Sequence, residues 1–387
     1  MSVNGTRVSR REVLRWSATA GVLATAGPLI SSCAGPVGSL PGTDANGLVL
    51  LPGFSSRIVA QAGEYVGGIS YRAFPDGAAT FADPATPGGW YHTINHEIPG
   101  GLGGVTSIRY APDGTILSAS SICSDTTLNC AGGATPWGTW LTCEEFEGGR
   151  VWECDPTGLT PTVVRPALGT FQHEAAVVAA DGRLYLTEDR PDSGFYRFTP
   201  TLAGDLSAGL LEIATGPSAV GTVTWVAVPD PTAWSTPCRR QVPASIKFDG
   251  GEGIDSLGTT VLFTTKGDNR VWGYDTATSQ MTIRYQAGGP SPLSGVDNLW
   301  IDDPSGTFLV AEDGGDMEVV MIRPDNTAQA IVRIPGHEGS EVTGPCFSPD
   351  GSRLYFSSQR APVGPFGIVL GVTYEVTGPF DSLLGRP

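Results

Sequence analysis

The chain has 387 residues, a formal net charge of −16, 40% hydrophobic residues, 53 glycines and 31 prolines. That length is ample for a large core, and so acidic a chain argues against nucleic acid while suiting calcium, which takes carboxylate and carbonyl oxygens. Gly and Pro punctuate short β-branched and aromatic runs, with no long helical period after residue 33, so a helical bundle is excluded and an all-β chain is expected.

Residues 1–33 read as an export signal. Ser9-Arg10-Arg11-Glu12-Val13-Leu14 is a twin-arginine pattern, and the apolar run Ala18 to Ile30 behind it is too short for a comfortable membrane span. It ends at Ile30-Ser31-Ser32-Cys33, a lipoprotein-like box that makes Cys33 the expected lipid-bearing residue. Loss of the segment removes Arg7, Arg10, Arg11, Arg15 and Glu12 and leaves a charge of −19. The expected location is the cell envelope or beyond, with membrane contact only through a lipid on Cys33. Residues 34–48 are Gly/Ser/Pro-rich and read as a tether. Residues 49–387 are expected to form one domain, a monomer.

Within that domain a phrase recurs: an acidic or amide group, an apolar strand, a turn at Asp-Gly or Ser-Gly, and a return strand ending in polar residues. Asp76-Gly77 reads as an early turn of this kind, leading towards Trp90–Glu97, and Asp113-Gly114 as another. The clearest copy is His173-Glu174, turn Asp181-Gly182, return Leu184 to Asp189. Others run from Glu252 through Leu257-Gly258, from Asp297-Asn298 through Ser305-Gly306, and from Glu341 through Asp350-Gly351. Counted from the turn glycine, Glu188, Thr264, Glu312 and Ser357 share one offset. Repeats of roughly 45–50 residues with about four strands each are the mark of a β-propeller. The tally is about six blades. Equivalent polar positions from different blades then converge on the central channel and form a metal centre on the axis.

In Asn129–Gly148 a Gly/Pro-rich loop is expected to lead into a strand, Trp137 to Leu141, that ends in Cys143, Glu144 and Glu145. A thiol beside two carboxylates is the donor set a transition metal accepts. The metal-ligand candidates are Asn95, Glu97, Cys143, Glu144, Glu145, Glu174, Glu188, Asp189, Glu252, Asp297, Asn298, Glu312, Asp313 and Glu341, with Glu338 at a related place. Three histidines precede a glutamate, in His96-Glu97, His173-Glu174 and His337-Glu338. Adjacent strand residues face opposite ways, so the carboxylates are expected inward and the histidines in packing. Arg190 and Arg360 are candidates to clamp an anion as catalytic groups, with Lys266 a further candidate. Of the six cysteines past Cys33, Cys123 and Cys130 have the spacing to close a short loop, and Cys346 reads as a small buried apolar residue. No Walker motif and no G-x-S-x-G elbow occurs.

Together Asn95-His96-Glu97, Asn129-Cys130-Ala-Gly-Gly, Thr139-Trp-Leu-Thr-Cys143-Glu144-Glu145, His173-Glu174, Thr187-Glu188-Asp189-Arg190, Asp297-Asn298, Glu312-Asp313 and the run Glu341 to Gly351 resemble the PhoX-type alkaline phosphatase family. The resemblance spans about Gly53 to Arg360. It implies a six-bladed propeller and a centre of ferric ions (Fe3+) and calcium ions (Ca2+) with a cysteine thiolate on iron, which it places at Cys143. It also implies twin-arginine export and hydrolysis of small phosphate monoesters by a metal-bound oxide or hydroxide. Two other readings are carried forward: a calcium-dependent lactonase or arylesterase-like propeller, which needs no thiolate, and a non-catalytic cell-surface propeller.

Overall fold

The computed structural model describes residues 42–288, 291–363 and 368–386; the expected signal segment, Cys33 and residues 34–41 lie outside them. Six antiparallel sheets carry the chain. Their inner strands are Pro75–Ala82, Asn129–Ala134, His173–Val178, Gly251–Leu257, Val296–Asp302 and Val342–Phe347, and define blades I to VI. Each inner strand touches its neighbours, and blade VI meets blade I, so the ring closes into a six-bladed β-propeller.

Closure is made by the first residues of the described chain. The outer strand of blade VI is Ser55–Gln61, which pairs antiparallel with Val372–Thr377. Val49–Leu50 likewise edges blade V against Ala328–Arg333. Within the expected tether, Leu48 is fully buried and Asn46 donates to the Ser56 carbonyl at 3.0 Å. The ring is thus sealed by backbone ladders between the two ends of the chain, and each seam is packed with apolar side chains from adjoining blades.

The turn glycines behave as their sequence suggests. Gly182 and Gly351 take φ of 77° and 72°, the left-handed conformation that favours glycine. The common offset from those glycines does not hold throughout. The ladder partners just before the bulge are Glu188, Glu312 and Ser357 in blades III, V and VI, but Thr265 in blade IV. The return strand of IV is one residue out of phase with the count, and a one-residue slip sends a side chain to the opposite face.

A second regularity was invisible as a turn pattern. Every inner strand carries a one-residue bulge near its start, shown by a register shift against the second strand. In blades I to V the bulge follows Pro75, Asn129, His173, Gly251 and Val296. Asp76-Gly77, expected as a turn, is the bulge of blade I. Asn129–Ala134, expected as a loop, is the inner strand of blade II. Its glycines are there for room: a Cβ on Gly132 would lie 1.8 Å from the Leu141 carbonyl oxygen, and one on Gly133 would lie 1.7 Å from that of Ala176. Bulges add twist and re-aim side chains.

Neighbouring blades hold the bulges by side-chain bonds. Thr187 and Thr264 donate to the carbonyls of Glu252 and Asp297, and Thr343 donates to that of Pro75 at 2.9 Å. Asn95 donates to the carbonyls of Cys130 and Ala131 at 3.0 and 2.8 Å. At the far end of blade IV, Asp255 accepts from the Ile301 backbone N–H at 2.8 Å and ties IV to V, and burial pushes its carboxyl up to about 7.

Two outcomes follow. Ala60→Asp puts a carboxylate into the buried closing strand and is expected to cost about 3 kcal/mol in urea unfolding. Asp255 holds its proton more tightly folded than unfolded, so its contribution is complete below about pH 4 and is lost as pH rises through about 7. Asp255→Asn is therefore expected to flatten the stability-pH curve between these values, gaining about 2 kcal/mol on wild type at pH 8.

Candidate metal centre

The bulges aim one residue per blade at the axis: Asp76, Cys130, Glu174, Glu252 and Asp297 in blades I to V. In blade VI Gly344 takes this register and brings no side chain, and Glu341, just before the strand, supplies the acid. A second ring comes from the residues that immediately follow the second strands: Glu97, Glu145, Asp189, Lys266, Asp313 and Gln359. Two tiers of side chains therefore meet at one end of the channel.

The donor atoms form four overlapping groups: Asp76, Glu97 and Cys130; Cys130, Glu145 and Glu174; Glu174, Glu252 and Asp297; Asp297, Asp313 and Glu341, with the atoms of each group within 4.8 Å. Cys130 Sγ lies 3.1 Å from Glu174 Oε1 and 3.6 Å from Asp76 Oδ2. All of these residues are buried except Asp313, which is half-buried. Gln359 donates to Glu97 at 2.8 Å and also to Asp76, and Gln172 donates to Glu145 at 2.9 Å. Two cations reach in. Lys266 Nζ stands 2.9 Å from Glu252, 3.1 Å from Asp313 and 3.5 Å from Asp297. Arg360 stands 3.0 Å from Glu341 and 3.4 Å from Asp313.

Eight carboxylates and a thiol thus face Lys266 and Arg360. Two like charges about 4 Å apart repel by about 4 kcal/mol at an effective dielectric of about 20. A multivalent cation relieves that repulsion, and the donor set suits two kinds: a thiol with carboxylates for a transition metal, and oxygens alone for calcium. The residues fit a mixed metal centre.

Of the expected ligands, Glu97, Glu145, Glu174, Glu252, Asp297, Asp313 and Glu341 are brought together. Cys143 is not. It sits on the second strand of blade II with its side chain in the apolar core among Leu141, Val151 and Leu186, and burial pushes its thiol well above the usual range. The thiol placed among the acids is Cys130 instead, missed because its glycine-rich strand looked like a loop. Asp76 was missed because Asp-Gly looked like a turn. Glu144 accepts from the backbone N–H groups of Thr127 and Arg150 and braces the two loops. Asn95 is taken up by Cys130, Ala131 and the Trp140 indole, which donates to it at 2.8 Å. Asn298 donates to Asp297 and accepts from the Gly344 N–H, joining blade V to VI. Glu312 accepts from the backbone of Ser294 and Glu318, and burial pushes it up to about 8. Glu188 accepts from Gly194 N–H, Tyr196 and Arg239. Asp189 lies against Gly250, outside the four groups.

The histidines pack. His96 and His173 are fully buried, desolvation lowers both to about 3, and they bond the Ala73 carbonyl and Thr106, and the Gly169 carbonyl, respectively. Arg190, expected as an anion clamp, instead pairs with Glu147 at 2.9 Å, part of a rim network with Arg239 and Asp192. Among the described residues all six cysteines are free thiols, so no Cys123–Cys130 bridge is present.

The fold and this two-tiered pocket define a six-bladed propeller with an acidic, thiol-bearing centre at the axis. The model of the family described as alkaline phosphatase PhoX matches residues 92–154 and 147–269 of the chain. Among solved structures it is similar to Pseudomonas fluorescens PhoX in complex with vanadate, a transition state analogue. That match has a TM-score of 0.71 at 17% identity and covers 88% of this chain and 97% of that one. A protein from Dyadobacter fermentans matches with a TM-score of 0.53 at 10% identity over 85% and 100% of the two chains. One from Bacteroides thetaiotaomicron gives 0.52 at 8% over 84% and 76%. No curated protein sequence matches the chain.

The rim network yields a test. Burial holds Glu188 above its usual range, and the Arg239 charge opposes that shift. Arg239→Met removes the cation and strands a buried carboxylate. It is expected to lose about 3 kcal/mol of stability at pH 8 and less at pH 5, where Glu188 can take up a proton, read by urea titration at both pH values.

Proposed function

We propose that the chain is an exported, metal-dependent phosphatase that hydrolyses small phosphate monoesters at the end of its propeller axis. The observation that carries this reading is the position of Cys130. Its sulfur belongs to two of the four donor groups at once, with Asp76 and Glu97 on one side and Glu145 and Glu174 on the other. A shared soft donor flanked by acids fits iron, while the all-oxygen groups built on Glu252, Asp297, Asp313 and Glu341 fit calcium. When bound, such ions supply Lewis-acid charge for the phosphoryl oxygens.

The chain's own residues do the rest. The carboxylates and the Cys130 thiol would hold the cations, and bonds such as those of Gln172 to Glu145 and Gln359 to Glu97 position donors before a substrate arrives. Lys266 and Arg360, about a quarter and an eighth exposed, border the acids and present positive charge to an incoming phosphate. Arg360 carries a planar fork suited to two phosphate oxygens, and Lys266 a point charge. The match to the family model and the likeness to a structure holding vanadate support this assignment.

The test compares two thiols. Cys130→Ser is expected to lose iron in elemental analysis and at least about 100-fold in kcat/KM on p-nitrophenyl phosphate, about 2.7 kcal/mol of transition-state stabilisation. Cys143→Ser is expected to keep its metals and its rate, at some cost in stability. Ester turnover with calcium alone and indifferent to Cys130 would favour the lactonase-like reading. Calcium-dependent melting without turnover of either ester would favour the non-catalytic one.

A further inference from the structure

We propose that Cys123 and Cys154 are an oxidisable pair that forms a disulfide stapling blade I to blade II. Cys123 lies on the outermost strand of blade I, Ile116–Thr126, and Cys154 ends the third strand of blade II, Val151–Cys154. Both are buried in one small cluster with Val105, Ile122 and Trp140, and both are thiols in this structure. They interact directly: a hydrogen bond from Cys154 holds the Cys123 thiol below its ordinary range, and the same bond pushes Cys154 up. Cys123 also borders a surface cleft lined by Ser121, Ile122, Ser124, Trp152 and Thr162, through which a reagent can reach it. The more acidic, more accessible thiol is thus the attacking one, which is the order that exchange chemistry favours.

The chemistry balances with a disulfide oxidant. The Cys123 thiolate attacks one sulfur of the oxidant, forms a mixed disulfide and releases the first thiol. Cys154 then gives up its proton and attacks the Cys123 sulfur, closing the bridge and releasing the second thiol. Two protein thiols are oxidised and one oxidant disulfide is reduced by two electrons and two protons. The loop so closed contains Cys130 and Glu145. The staple therefore restrains the segment carrying part of the centre, and it directs oxidation away from Cys130, which a Cys123–Cys130 bridge would consume. An oxidising compartment permits such a bond. The inference stands on the placement of these two thiols and is independent of the phosphatase reading.

The experiment incubates the purified full chain with oxidised glutathione, alkylates the remaining thiols and maps unreduced peptides by mass spectrometry. Expected are a peptide linking Cys123 to Cys154, loss of two alkylated thiols from the six between Cys123 and Cys346, and a higher Tm for the oxidised form. Cys154→Ser is expected to show neither the linked peptide nor the rise in Tm. Alkylation of all six thiols after oxidation, or a linked peptide joining another pair, would overturn the proposal. The wild-type mapping decides the matter even where the variant folds poorly.

Discussion

Six inner strands must converge on one axis, and that crowding governs the molecule. Strands that close together leave little space for side chains, so small residues stand where the bulges face a neighbour: Gly77, Ala131, Ala175 and Gly253. A Cβ added to Gly77 would lie 2.5 Å from Ala131 Cα, and one on Gly253 would lie 2.4 Å from the Leu299 nitrogen. The residue just before each small one is turned to the channel end, and there the sequence places an acid or a thiol. The same bulge that relieves packing therefore builds the site. Fold and chemistry share one local distortion, repeated around the ring.

Gathering eight carboxylates on an axis is unfavourable unless something offsets their mutual repulsion. The protein does this in part with Lys266 and the Gln359 amide, both at the second tier, and with Arg360 just beyond it. Blade IV places lysine where blades I, II, III and V place acids. That single exchange gives the ring a polarity, with the thiol and four acids on one side and the cations among the other four on the opposite side. A phosphate ester approaching such a centre meets positive side chains at the border and, when the metals are bound, positive charge beneath. The rim network of Arg190, Arg239, Glu147 and Asp192 lies beyond, and there it ties the insertion carrying Cys238–Gln241 to blade III rather than contributing a donor.

The misassigned residues have a common physical origin. A glycine-rich strand and a loop have the same composition, so Asn129–Ala134 was indistinguishable from a loop until its neighbours were known. The glycines at 132 and 133 are demanded by backbone atoms of Leu141 and Ala176, one from the same blade and one from the next. Asp-Gly is both a turn signal and a bulge signal, so Asp76 was hidden among genuine turns such as Asp181-Gly182. Cys143 failed for the opposite reason. It has the right neighbours in sequence, but it lies on a second strand whose alternate residues face the core, and only Glu145, beyond the strand end, reaches the centre.

The sequence by itself determined the fold class, the approximate blade count and most of the acids. Those depend on local periodicity and on residue type, which each segment carries with it. Only the tertiary structure decided which thiol joins the acids, that Glu144, Glu188 and Glu312 are spent on backbone and arginine partners, and that Cys123 faces Cys154. These outcomes turn on one-residue differences in register between strands, and on contacts between blades far apart in the chain. Register is set by the fit of neighbouring strands, a property no single segment possesses.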